Sequence, residues 1–202
     1  SFCMCPGGMV VAAASETGRL VTNGMSNYRR DLDTANSALL VQVNPQDWGG
    51  AVLGGIAFQR ELEERAYQCG GGDYFAPVQS VGDFRAGKTG TRDFAVTPTY
   101  APGVRPADLH GVLPAECAAS LARALAFWEE RVPGFGAADV PMTGVESRSS
   151  APCRIVRDAA TMESVSAEGL YPIGEGAGYA GGIMSAALDG LKAALAFLGK
   201  IQ

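Results

Sequence analysis

Short apolar runs set the rhythm of the first third of the chain. MVVAAAS at 9–15 and RLVTNG at 19–24 flank Glu16, Thr17 and Gly18, which predicts two strands joined through a turn. ALLVQV at 38–43 is a compact apolar run closed by Asn44 and Pro45, and it reads as a buried strand. After a glycine-rich connection, IAFQRELEERAYQCG spaces Ile56, Phe58, Leu62, Ala66 and Cys69 along one side, predicting a helix stopped by Gly70, Gly71 and Gly72. Within it, Glu61, Glu63, Glu64 and Arg65 read as a solvated face with ion pairs. APVQSVGDF and DFAVTPTY read as extended pieces joined by the polar loop RAGKTGTR, and Pro98, Pro102 and Pro106 mark a connector. PAECAASLARALAFWEERV is the clearest helix, with Pro114 at its first position, a core stripe of Leu121, Leu125 and Trp128, and Pro133 and Gly134 beyond its end. VPMTGVES and CRIVRD predict strands around the loop RSSAP, LYPI at 170–173 a short strand, and AGGIMSAALDGLKAALAFLGK a long final helix. Helix and strand signals alternate irregularly, which predicts a mixed α+β fold.

Composition narrows the function classes. At 202 residues, with 47% hydrophobic and 18% charged, the chain is long enough for one large domain or two small ones with a real core. A net charge of -5 gives no electrostatic footprint for nucleic acid or an anionic membrane. No apolar run reaches membrane-spanning length and no basic leader precedes one, so a cytoplasmic protein with reduced thiols is expected. The single histidine, His110, rules out a multi-histidine metal site, and no metal is expected. It sits near a helix start and reads as a surface or capping residue.

Cys3 and Cys5 form a C-x-C followed by Pro6, Gly7 and Gly8. One reading is a redox pair; the other is two covered thiols beside a glycine turn. A C-x-C disulfide closes a small strained ring, which favours the second. Arg148, Arg154 and Arg157 surround the loop SRSSAPC. On a strand, Arg154 and Arg157 would lie on opposite faces. Arg148 and Arg154 are the candidate contacts to an anionic substrate or cofactor, and Arg157 reads as solvated strand-edge charge. Arg29, Arg30, Asn23 and Asn36 read as structural.

The densest chemistry lies in LYPIGEGAGYAGGI, where Gly176, Gly178 and Gly181 form a G-x-G-x-x-G between a strand and a helix. Glycines at a helix start leave backbone N–H groups uncovered where the helix dipole is positive. Glu175 stands in the same turn, able to accept hydrogen bonds from hydroxyls. The second strand and acidic end of a dinucleotide-binding βαβ unit do not follow, so the spacing alone also fits a tight turn without a ligand.

EGLYPIGEGAGYAGGIMSAALDGLKAA resembles the C-terminal flavin-binding segment of FAD-dependent oxidoreductases of the glutathione-reductase-like superfamily. SFCMCPGGMVVAAASETGRLVTNGMSNYRRD and TGVESRSSAPCRIVRD are similar to the FAD-dependent, NAD(FAD)-utilising dehydrogenases, which are much longer. The resemblance implies a truncated, C-terminal portion of such a flavoprotein, whose N-terminal FAD-binding half is absent. Residues 1–160 would be an inserted substrate-side α+β domain with part of the FAD-domain sheet. Residues 161–202 would be the returning strand and helix that contact the flavin. It further implies FAD contacts from Gly174, Glu175, Gly176, Ala177, Gly178, Tyr179, Ala180, Gly181, Gly182 and Ile183, and hydride transfer between flavin and an unknown small substrate. No catalytic acid or base is assigned. The chain alone would be colourless and inactive, and the apolar final helix admits self-association into homo-oligomers. Two other classes stand beside this reading: an interaction domain without cofactor, and a small thiol-redox protein using Cys3 and Cys5.

Overall fold

The hairpin expected near the start forms from β2 (Gly8–Ala12) and β3 (Thr22–Ser26), antiparallel, with Met9 opposite Met25 and Val11 opposite Asn23. Its connection turns at Gly18, whose φ of 72° is open to glycine. Preceding it, β1 (Phe2–Cys5) pairs antiparallel with β4 (Asn36–Ala38). The buried strand read at 38–43 does not form: only Ala38 lies in β4, and 39–43 are irregular and half-buried or exposed. The computed structural model describes residues 2–201, which fall into two compact units. One takes the chain up to Asn44 and Arg60–Ser147; the other takes Pro45–Gln59 and the residues from Arg148 on.

The core of the first unit gathers around β5 (Ala76–Ser80), the middle strand of three, parallel to β6 (Val104–Pro106) and antiparallel to β7 (Pro141–Thr143). All five β5 residues are buried, as a central strand covered on both faces must be. The extended reading of APVQSVGDF fails after Ser80. The Ser80 hydroxyl accepts the Asp83 N–H at 3.1 Å, and Gly87 closes the far end at φ 62°, so Val81–Ala86 is a capped helix, α2. No strand forms in DFAVTPTY. Helix α1 runs over Gly54–Cys69 and α3 over Ala115–Arg131, both as their patterns require. Leu121 and Leu125 of α3 are buried, while Trp128 is half-buried against Phe127 and Phe135.

One charged position departs from the solvated helix face. Glu63 of α1 is 0% exposed; its backbone carbonyl accepts the Leu20 N–H at 2.9 Å and its Oε1 accepts the Ser147 hydroxyl at 2.7 Å. Glu61 and Arg65, one turn apart, do form the expected surface pair. A hydrogen bond to a buried carboxylate is worth about 1.5–3 kcal/mol. Ser147→Ala is therefore expected to lower the unfolding midpoint by roughly 3–10 °C for a chain of this size, measured by thermal circular dichroism.

In the second unit, the strand expected from CRIVRD reduces to a single bridge between Arg157 and Ser164, and LYPI forms no strand. Pro172 lacks an N–H, so a ladder cannot run through this stretch within the described residues. The unit ends in α4 (Ile183–Ile201).

Candidate functional site

The glycine-rich stretch at 174–183 is a closed turn feeding α4. Within it the N–H of Gly178 donates to the Glu175 carbonyl at 2.9 Å, and that of Tyr179 to the Gly174 carbonyl at 3.0 Å. Gly174 and Gly178 take φ of 73° and 84°, the left-handed region. At the helix start, the Ser185 hydroxyl accepts the Gly182 N–H at 3.1 Å, the returning half of a capping box. The N–H groups of Gly178, Tyr179 and Gly182 are thus committed inside the turn. Ile183, Met184 and Ser185 lie in the first helical turn, where backbone N–H groups find no intrahelical acceptor and the helix dipole is positive.

Two arginines hold the turn from below. Arg157 forks onto Asp189 of α4, Nη1 to Oδ2 at 2.9 Å and Nη2 to Oδ1 at 2.6 Å, and Nη1 also donates to the Pro172 carbonyl. Its guanidinium lies 3.6 Å from the centre of the Tyr179 ring. Asp189 Oδ2 further accepts the Gly174 N–H at 2.9 Å. The two side chains are only 8% and 11% exposed. The hydrogen bonds from Arg157, opposed by burial and helped by the Gly174 N–H, bring the Asp189 carboxyl down to about 2, while Asp189 pushes the Arg157 guanidinium up. Arg154 donates from Nε to the Gly178 carbonyl at 2.9 Å and lies 4.9 Å from the same ring, whose hydroxyl donates to the Ile155 carbonyl at 3.0 Å.

This corrects the reading of the arginines. Arg157 is a covered clamp rather than a solvated edge charge, and Arg154 and Arg157 converge on Tyr179, since no strand forms to separate them. Arg154 is exposed, and Arg148, further upstream, is half-buried. The sequence reading missed Asp189, whose signal was a lone carboxylate in the middle of an otherwise apolar helix.

The glycines of the G-x-G-x-x-G differ in what the fold asks of them. A Cβ at Gly178 would lie 2.5 Å from the Cys153 carbonyl oxygen, so the fold itself requires that glycine. At Gly176 and Gly181 nothing stands within 4 Å of where a Cβ would be, and neither has a positive φ. Around that open ground Glu175 is exposed, Ala177 is buried, Ala180 is half-buried, and Ile183 and Met184 are 90% and 72% exposed.

The other candidates lie in the first unit. Cys3 is exposed rather than covered and Cys5 is half-buried; neither is in a disulfide, and Cys5 Sγ donates to the Cys3 carbonyl at 3.3 Å. His110 sits in a short 3-10 turn capped by Asp108, its ring stacked on Phe84 at 4.4 Å and Nδ1 2.9 Å from the Asp108 carboxylate, a structural role. Burial, with the Asp108 charge, pushes the Cys69 thiol up, away from thiolate chemistry at neutral pH.

Residues 1–149 match the family model described as FAD-dependent protein, C-terminal domain-like. The chain belongs to this family of FAD-dependent protein C-terminal domains. It is also 51% identical over 195 residues to an uncharacterized protein of Clostridium beijerinckii (strain ATCC 51743 / NCIMB 8052), a match covering 96% of this chain and 36% of that relative. The chain thus spans about a third of the relative's length. The family match covers the first unit's strands and ends before the glycine turn. No helix among the described residues is long and apolar enough to cross a membrane.

FAD carries hydroxyls, an acceptor-rich ring edge and a flat apolar face. The turn offers a carboxylate, the N–H groups of a helix's first turn, open glycine surface and two exposed apolar side chains, which are the kinds of group the flavin part of that cofactor needs.

Proposed function

We propose that these residues are the C-terminal part of an FAD-dependent oxidoreductase, with the turn at 174–183 set against the flavin part of the cofactor. Residues 161–202 would form the flavin-contact segment of a cytoplasmic enzyme, and residues 1–160 the side facing a small substrate. When bound, FAD supplies the hydride chemistry; the chain's own residues position and shield. The Glu175 carboxylate accepts hydrogen bonds from cofactor hydroxyls. The N–H groups of Ile183, Met184 and Ser185 donate to the acceptor edge of the ring, and the side chains of Ile183 and Met184 exclude water from its face. Arg157, Asp189 and Tyr179 keep the turn in shape, while Arg148 and Arg154 are the candidate contacts for an anionic group of the substrate.

The observation that carries this reading is the open pair Gly176 and Gly181, beside the start of α4, in a member of an FAD-dependent family. A complete βαβ unit normally supplies most contacts to the adenosine and pyrophosphate, and no such unit exists within the described residues. The test is the visible spectrum after incubation with excess FAD and desalting. The 202-residue chain is expected to be colourless and the complete protein to retain about one flavin per chain. Stoichiometric flavin on the 202-residue chain, or none on the complete protein, would overturn the reading.

A further inference from the structure

Three segments of the first unit meet around a cavity of about 450 Å³. Its walls are the end of β2 and the connection to β3, carrying Ala12, Ala14 and Glu16; the Tyr74 ring; and the stretch holding Tyr100 and Pro102. Each wall is pinned. The Gly18 N–H donates to the Tyr74 hydroxyl at 3.0 Å, the Val10 N–H to Thr99 Oγ1 at 2.8 Å, and the Ala76 N–H to the Gly103 carbonyl at 3.0 Å. Tyr74 itself is held in the left-handed region, at φ 65°, with its ring 4.8 Å from that of Tyr67. The volume falls in the range of small-molecule pockets, which are for the most part formed before the ligand arrives.

Tyr100 supplies the polar handle. It is 3% exposed, yet its hydroxyl has no hydrogen-bond partner among the described residues. Burial pushes the phenol up, so it stays a donor at neutral pH. A covered donor without an acceptor is destabilising, and folded chains rarely keep one. Glu16, the one charged residue on the walls, is held by Arg19 and, at 3.1 Å, by Arg60. The walls therefore call for neither a cation nor an anion. The two tyrosine rings and Pro102 present flat apolar surface that suits an aromatic ring. We propose that this cavity binds a small uncharged aromatic molecule bearing a carbonyl group, whose oxygen accepts the Tyr100 hydroxyl. All of its residues lie in the first unit, and none is among the FAD contacts proposed at 174–183.

Protein-observed NMR titration of the 202-residue chain with naphthalene carboxamide tests this, with naphthalene carboxylate as the charged counterpart. The carboxamide is expected to shift the amide signals of Ala12, Ala14 and Thr17 with a Kd of roughly 1 mM or tighter, as an aromatic of this size gains in a formed pocket. Tyr100→Phe should weaken it about fivefold or more, the worth of one neutral hydrogen bond. It should not lower the unfolding midpoint, because the hydroxyl has no partner to lose. Ala14→Leu, filling the cavity from an exposed position, should abolish binding with the midpoint unchanged. The carboxylate should bind about tenfold more weakly, since its charge meets no counter-charge there. Absent shifts at these residues, equal affinity in Tyr100→Phe, or tighter binding of the carboxylate would overturn the proposal. So would a Tyr100→Phe midpoint well below the parent's, which would mean that the hydroxyl is bonded within the fold.

Discussion

Arg157→Ala is expected to open the second unit. The guanidinium satisfies both Asp189 oxygens and the Pro172 carbonyl and covers the Tyr179 ring, so its removal leaves a carboxylate in a site 11% exposed with the Gly174 N–H. Breaking one side of a covered ion pair costs about 3–5 kcal/mol. Amide protection across residues 170–190 should accordingly fall by about two to three and a half orders of magnitude, at about 1.4 kcal/mol per tenfold. Arg157→Met combined with Asp189→Leu should recover much of the loss, because no charge is then stranded. The pH dependence follows from the direction of the Asp189 shift. Its carboxyl is near 2 when folded against 3.8 ordinarily, so its contribution of roughly 2 kcal/mol is complete above about pH 4 and is lost as pH falls toward 2. Asp189→Asn should flatten that acid limb in a stability profile between pH 5 and 2.

Gly178→Val is the second large effect. At φ 84° a side chain costs about 1–2 kcal/mol. Its Cβ would also lie 2.5 Å from the Cys153 carbonyl oxygen and 2.9 Å from the Arg154 Cα, both backbone atoms that cannot swing aside. Relief requires residues 153–155 to separate from the turn, which breaks the bonds from Arg154 Nε to Gly178 and from the Ile155 N–H to Ala177. The total is roughly 2–5 kcal/mol, or 5–15 °C in midpoint. Gly176→Ala and Gly181→Ala, facing open space, should stay within about 0.5 kcal/mol of the parent. A Gly178→Val midpoint no lower than theirs would mean the turn is held differently.

The three long helices were legible because each carries its own period and stop signals, from Gly70 after α1 to Pro133 beyond α3. Two kinds of feature were not. Helix α2 was hidden because its capping serine is itself the last residue of a buried strand, so APVQSVGDF reads as one extended run. The runs CRIVRD and LYPI carry strand-forming residues without a ladder partner, and pairing is a non-local property that composition does not announce. At the site, the glycine turn and Glu175 stood out by spacing. The Arg157–Asp189 clamp joins positions 32 residues apart and could be seen only once the chain was folded. Glu63 was misjudged for a similar reason, its partner Ser147 lying 84 residues away.

The central claim, that the turn at 174–183 holds flavin, is tested most directly by the FAD dissociation constant of the complete protein carrying Glu175→Ala or Gly181→Ala, measured by flavin fluorescence. A lost hydrogen bond to a carboxylate is worth roughly 1.5–3 kcal/mol, so Glu175→Ala should weaken FAD ten- to a hundredfold. Gly181→Ala should weaken it measurably with no change in unfolding midpoint. Dissociation constants unchanged in both variants would place the flavin elsewhere and contradict the account.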